Sequence, residues 1–188
     1  MLLSFEETNK ILNRYRIPFL KTTLVLNKKE LKKATFNYPV VLKTAGKVLH
    51  KAKAGLVKKD IYTKKDLVKS FKLMKAEGVL IQSQISGFEF FCGAKRDKTF
   101  GFVLSFGSGG SIIEILDDIA FGICPLNKKE ILEMMKITKS YNLIEDKDLM
   151  VELLFTLSRI LEENEDIKEI DFNPVINSKV VDAKIICY

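Results

Sequence analysis

Apolar residues recur every three to four positions in five stretches, each opened by a side chain able to cap a helix. Ser4-Phe5-Glu6-Glu7 reads as a capping box, in which Ser4 and Glu7 satisfy each other's free backbone N–H groups. The stretch behind it carries Ile11, Leu12 and Tyr15 on one side and ends before Pro18. Asn27 with Glu30 repeats the device ahead of Leu31 and Ala34, and Thr63 with Asp66 opens a third helix showing Leu67, Phe71 and Met74. Asn127 with Glu130 opens a fourth, with Ile131, Met134 and Met135. A fifth runs from about Asp148 to Glu162, with Leu149, Leu153, Leu154, Leu157 and Ile160 at helical spacing.

Between the helices lie runs of strand character: Thr22–Leu26, Pro39–Lys43, Ala54–Lys58, Val79–Ile85, Phe88–Ala94, Phe100–Phe106, Ile112–Leu116 and Ile119–Cys124. Glu169–Phe172 and Val180–Ile186 read as a terminal hairpin around Asn177-Ser178-Lys179. The strands come in mixed groups instead of alternating strictly with helices. An α+β arrangement in two lobes, divided near Gln82, is therefore expected over a plain parallel doubly wound sheet.

Composition narrows the class. With 188 residues, 47% of them apolar and 29% charged, the chain can build one sizeable domain or two small ones sharing a cleft. A disordered tail, a collagen-like fibre and a disulfide-stapled miniprotein are excluded. The net charge is +7, and 27 of the 31 basic residues are lysine. Such a charge serves nucleic acid, a membrane surface or phosphorylated small molecules, and its sign does not choose among them. Cys92, Cys124 and Cys187 are far apart with no CxxC pair, which fits reduced thiols better than a disulfide framework or a zinc site. Glu6 and Glu7 make the N-terminus unlike a signal peptide. The longest uncharged run, Thr99 to Ile113, contains four glycines and three serines and falls short of the roughly 20 residues a spanning helix needs. A soluble, cytoplasmic protein with no membrane partner is expected.

Several segments can carry chemistry. Phe106-Gly107-Ser108-Gly109-Gly110 is the most glycine-dense, and reads either as an anion-cradling loop or as a tight hairpin turn. Pro39-Val40-Val41-Leu42-Lys43 ends an apolar strand on an ammonium that can hold a phosphate, although lysine is abundant enough to fall there by chance. His50, the only histidine, stands among Lys47, Lys51 and Lys53, cations that favour its neutral form, and a neutral imidazole can accept a phosphoryl group. A structural histidine is the alternative. Asp171-Phe172-Asn173-Pro174 and Val181-Asp182-Ala183 put side-chain oxygens on neighbouring strands, which suits Mg²⁺ or simple turn formation.

Taken in order, seven runs resemble one family. They are Tyr38-Pro-Val-Val-Leu-Lys43, Leu49-His-Lys51, Gly93-Ala-Lys-Arg-Asp97, Phe106-Gly-Ser-Gly-Gly110 with Glu114, Cys124-Pro-Leu126, Asp171-Phe-Asn-Pro174 and Val181-Asp-Ala-Lys184. Together they resemble the ATP-grasp (β) subunit of the ADP-forming acyl-CoA synthetases, such as acetate–CoA ligase, and more distantly the β chain of succinyl-CoA synthetase. The resemblance implies a single ATP-grasp domain over 1–188, with lobe one at about 1–81 and lobe two at about 82–188 enclosing a nucleotide cleft. It implies a relay in which a CoA-binding α subunit phosphorylates its own histidine, and a second histidine, matched by His50, passes the phosphoryl group to ADP. Lys43 and Lys58 look like the phosphate-binding lysines, and Gln82, Ser83 and Gln84 like the hinge whose backbone reads adenine. Asn173 and Asp182 look like the Mg²⁺ ligands, and Glu114 like the carboxylate that orients the relay histidine.

Departures from the family pattern support a second reading, a catalytically degenerate subunit that only binds nucleotide or its partner. Ala52-Lys53 replaces Ser-Asp, Gly55-Leu56 replaces two glycines, Ser83 replaces a hinge glutamate, and Gly122 replaces an arginine expected near the phosphates. A nucleic-acid-binding module built on Lys28–Lys33 and Lys58–Lys65 is a third reading. With four arginines and no tryptophan the groups that read bases are few, so no nucleic-acid partner is expected.

Overall fold

A computed structural model describes residues 1–45, 56–74, 78–110 and 117–188. Two compact units form: Leu20–Ile85, and Met1–Phe19 together with Ser86–Tyr188.

The smaller unit is an antiparallel sheet with two helices on one face. Strands β1 (Thr22–Val25), β2 (Val40–Thr44), β3 (Val57–Ile61) and β4 (Val79–Ser83) pair in the order β1-β4-β2-β3. Helix α1 (Phe5–Arg14) belongs to the larger unit, while α2 (Lys28–Lys33) and α3 (Lys64–Leu73) lie here. Asn27 accepts the N–H groups of Lys29 and Glu30, and Thr63 accepts that of Asp66, so both helices start where their caps place them. Leu31 and Leu67 bury against Val25, Val40, Leu42, Ile61, Val79 and Ile81. These side chains take one face of the sheet because alternate residues of a strand point the same way.

β2 and β3 are out of step by one residue. Val40 faces Ile61 but Leu42 faces Lys58, so Lys59 and Asp60 together oppose Val41. Asp60 takes φ +59° to make the bulge. Gln84 holds it from both sides, its Oε1 accepting the Asp60 N–H at 2.8 Å and its Nε2 donating to Asp60 Oδ1 at 2.7 Å.

The larger unit is a six-stranded antiparallel sheet: β5 (Phe90–Asp97), β6 (Gly101–Ser108), β7 (Ile119–Ile123), β8 (Ile167–Ile176), β9 (Lys179–Val180) and β10 (Ala183–Cys187). The order is β10-β8-β5-β6-β7, with β9 also paired to β8. Helices α4 (Lys128–Lys136) and α5 (Lys147–Glu163) cover one face. Ile131 and Met135 of α4 and Leu154, Leu157 and Ile160 of α5 are buried with Leu104, Phe106, Cys92 and Phe172 of the sheet. Truncating one such leucine to alanine costs about 2–5 kcal/mol. The C-terminal carbonyls of α5 are met by Arg96, which donates to Leu161, to Asn164 at 2.9 Å and to Ile167 at 2.7 Å. Among the described residues, no helix is long and apolar enough to cross a membrane.

Three expectations are revised. The first lobe is Leu20–Ile85 and not about 1–81, because residues 1–3 and 17–19 bond to the C-terminal strands: Leu3 N–H to Ile185 at 2.9 Å, and Val180 N–H to Pro18 at 2.8 Å. The Gly107–Gly110 segment is not a tight turn. Gly107 and Ser108 stay inside β6, paired with Phe91 and Phe90, and a longer connection leads to β7. The terminal hairpin is two strands on one partner: Asn177 and Ser178, both at positive φ, turn β8 into β9, and β10 then pairs farther back along β8. The expected strand Ile112–Leu116 lies outside the described residues.

Candidate functional site

In the smaller unit, the sheet face turned away from α2 and α3 carries Thr22, Leu24, Leu80, Gln82, Val41 and Lys43. The ladders set them side by side: Val41 and Thr22 both face Gln82, and Lys43 faces Leu80. Lys43 is buried at 7% exposure and Gln82 at 3%, unusual for side chains that end in a charge or an amide. Val41 and Leu80 are also buried, yet neither belongs to the cluster under the helices. A buried ammonium beside apolar side chains is a setting in which an anion is held without competing water.

Lys58 is not on that face. It stands opposite Leu42, whereas Lys43 stands opposite Val57, and successive strand residues alternate faces. The register therefore separates the two lysines that the sequence resemblance groups together.

The three residues expected at the hinge divide by role. Gln82 Nε2 donates to Thr22 Oγ1 at 2.7 Å, and Thr22 in turn donates to the Leu20 carbonyl at 2.8 Å. Ser83 Oγ donates to the Asn37 carbonyl at 3.3 Å. Gln84 gives its N–H to Pro39 at 2.8 Å and its side chain to the Asp60 bulge, so it builds the sheet edge.

In the larger unit the structure brings Asn173 and Asp182 together, the Asn173 N–H donating to the Asp182 carbonyl at 3.1 Å. Asn173 Oδ1 also accepts the Gly110 N–H at 3.0 Å, which ties the glycine-rich segment to β8. Gly110 has φ +66°, and a Cβ there would lie 2.0 Å from Glu89 Oε2. Asp171, two residues before Asn173 on the same face of β8, takes Lys184 Nζ at 3.3 Å on Oδ2, while its buried Oδ1 has no hydrogen-bond partner. Burial, against the pull of Lys184 and with the push of Asp182 and Glu169, raises the Asp171 carboxyl above the usual range. Amide and carboxylate oxygens with no sulfur or imidazole form a hard donor set that fits Mg²⁺. Among the described residues, no group of three His, Cys, Asp or Glu side chains could hold a metal ion.

Asp118 shows how the glycine-rich strand is fixed. Its carboxylate accepts Ser108 Oγ at 2.7 Å, the Lys139 N–H at 2.6 Å and the Ser140 N–H at 3.0 Å. Burial pushes its carboxyl up, and hydrogen bonds from Ser140, Ser108 and Lys139 outweigh that, leaving it below the ordinary range. Gly122 faces the helix-packed side of the sheet: a Cβ there would meet Leu126 Cδ1 at 2.5 Å and Met134 Sδ at 2.8 Å. His50, Glu114 and Ala52 lie outside the described residues. Asp171 and Thr22 are additions to the candidate residues. Asp171 was legible as the i−2 neighbour of Asn173 on a strand, whereas nothing local in sequence marks Thr22.

Comparison with known proteins places this geometry. The ATP-grasp domain family model matches residues 1–186. Acetate–CoA ligase [ADP-forming] II of Archaeoglobus fulgidus is 33% identical over 99% of this chain, which spans 30% of that protein's length. Acetate–CoA ligase [ADP-forming] I subunit beta of Pyrococcus furiosus is 29% identical, covering 96% of this chain and 89% of the subunit. Among solved structures, acetyl-coenzyme A synthetase 1 of Ca. Korarchaeum cryptofilum, in complex with coenzyme A and Ca-AMPCP, superposes with a TM-score of 0.90 at 30% identity, over 100% of this chain and 93% of that one. A second complex of the same synthetase, with coenzyme A and Mg-AMPPCP and its phosphohistidine segment pointing towards the nucleotide binding site, gives a TM-score of 0.83 at 31% identity over 99% and 92%.

Proposed function

This chain belongs to the ATP-grasp domain family, and from that premise we propose that it is the nucleotide-binding part of an ADP-forming acyl-CoA synthetase, working with a CoA-binding partner in the cytoplasm. The reaction interconverts acyl-CoA, ADP and phosphate with the free acid, CoA and ATP. The phosphoryl group moves from a histidine of the partner to His50 Nε2 or Nδ1, and from that nitrogen to the β-phosphate oxygen of ADP. The P–N bond breaks as the P–O bond forms. Glu114 orients the imidazole.

The observation that carries this reading is the pairing of Asn173 with Asp182 across β8 and the start of β10, with the partnerless Asp171 Oδ1 on the same face. Residues holding Mg²⁺ there would be Asn173, Asp182 and Asp171, and a bound Mg²⁺ neutralises charge on the nucleotide phosphates. Lys43, buried on the second face of the smaller unit's sheet, supplies a fixed cation for a phosphate. Lys58 enters this reading less directly, since it stands on the other face.

The degenerate alternative loses one of its supports. A Cβ at position 122 would meet Leu126 and Met134, which supports reading Gly122 as an adaptation to packing under α4. Ala52 remains in its favour. The two readings separate on incubation with γ-labelled ATP and Mg²⁺, wild type beside His50→Ala, with and without the partner. Acid-labile, base-stable label on wild type alone is expected. No label on folded wild-type protein with its partner present would leave the binding role.

A further inference from the structure

The two units carry opposite net charge. Residues 20–85 hold 16 lysines, no arginine and four acidic residues, a net +12, while the rest of the chain holds 15 basic and 20 acidic residues, a net −5. In the smaller unit the described acids are engaged locally. Glu30 accepts Asn27 Nδ2 at 2.6 Å and the Leu26 N–H at 2.8 Å, Asp66 accepts Thr63 Oγ1 at 2.6 Å, and Asp60 accepts Gln84 Nε2 at 2.7 Å. The lysines gather on the helices. α2 and α3 show four exposed lysines each, and none of the eight has an ion-pair partner among the described residues. Lys64 Nζ donates to the Lys32 carbonyl at 3.4 Å, so the end of α2 meets the start of α3 and the two sets form one field. On α3, Lys65, Lys69 and Lys72 stand at i, i+4 and i+7, a stripe on the side away from buried Leu67.

These lysines do not reach an anion on the Lys43 face, because α2 and α3 cover the other face of the sheet, where Leu31 and Leu67 bury with Val40 and Leu42. Distance does not remove their effect. A helix with its side chains is about 10–12 Å across, and charges act over about 30 Å at 0.01 M salt but only about 8 Å at 0.15 M. We propose that the lysine field collects polyanionic substrates: it speeds the arrival of nucleotides and other phosphate-bearing reactants at the smaller unit and leaves their departure unchanged. Attraction at long range raises the rate of encounter, whereas contacts made at the site set the rate of release. ADP, phosphate and acyl-CoA on one side of the proposed reaction, and ATP and CoA on the other, are all anions. This inference rests on the reading that the Lys43 face receives a nucleotide.

The test is stopped-flow binding of ADP with a fluorescent ribose label to the full chain, from about 0.01 M to about 0.5 M salt. Wild type is compared with Lys65→Gln/Lys69→Gln/Lys72→Gln and with Lys65→Arg/Lys69→Arg/Lys72→Arg, with folding checked by circular dichroism. At the low end the glutamine variant should associate about threefold more slowly, the effect of three charges at roughly 20 Å from the ligand. At the high end its association rate should equal that of wild type, and dissociation rates should match throughout. The arginine variant keeps the charge and should bind as wild type does, which damage to α3 would not allow. Equal association rates at low salt, or a loss that persists at high salt or resides in dissociation, would overturn the collecting role while leaving nucleotide binding intact. Failure of folded wild type to bind labelled ADP would overturn the nucleotide reading and this inference with it.

Discussion

Asn173 Oδ1 accepts the backbone N–H of Gly110 at 3.0 Å, so one amide oxygen serves both the glycine-rich segment and the candidate Mg²⁺ site. Gly110→Ala tests the link. At φ +66° a non-glycine residue is strained, and its Cβ would fall 2.0 Å from Glu89 Oε2. The substitution should cost about 1–3 kcal/mol in urea unfolding. It should also weaken Mg-ADP binding beyond what that loss explains, through the displaced Asn173.

The register makes unequal predictions for two lysines. Lys43→Met should lower ADP affinity by about tenfold or more, the effect of losing a charge-assisted hydrogen bond in a buried setting. Lys58→Met, on the other face opposite Leu42, should change it by less than about threefold. Titration of each variant with ADP reads the difference directly, and equal losses would contradict the strand register as the guide to the site.

Asp118 sets an acid limit on stability. Its folded-state carboxyl lies below the ordinary value, so the stability it adds is complete above the unfolded-state pKa, about 3.9, and is lost as pH falls towards the folded one. Asp118→Asn should destabilise the protein by about 2–3 kcal/mol at pH 7, since Lys139, Ser140 and Ser108 lose a charged acceptor. Urea unfolding between pH 7 and pH 3 should show the two proteins converging at the acid end.

Restoring the family's arginine should do harm. In Gly122→Arg the new Cβ meets Leu126 and Met134 at 2.5 and 2.8 Å, an overpacked contact that costs about 1–3 kcal/mol. The midpoint of thermal unfolding should fall, and phosphoryl transfer should not rise.

Helix starts were legible because capping is local. Ser4 with Glu7 and Asn127 with Glu130 form the expected boxes, and α5 begins one residue before the expected start, at Lys147, with Asp146 as its cap. Faces of strands were not legible. The single extra residue at Lys59-Asp60 decides where Lys58 points, and that bulge depends on Gln84, 24 residues away. The same holds for α1: its apolar stripe predicts a helix but not which sheet receives it, a matter settled by Leu3 bonding to Ile185. Of the candidate site, the nearness of Asn173 to Asp182 was readable because both flank the turn that leads from one terminal strand to the next. The orientation of Gln82 was not, because it depends on a threonine in another strand.

The bridge from Leu2 to Ile186 also orders events during synthesis. Residues 20–85 contain all four strands of their own sheet, and can complete it while the rest of the chain is still being made. Residues 1–19 must wait, since their partners β9 and β10 follow every other described strand in the chain. Until those strands emerge, the apolar stripe of α1, with Leu12 at its centre, has no sheet to cover it.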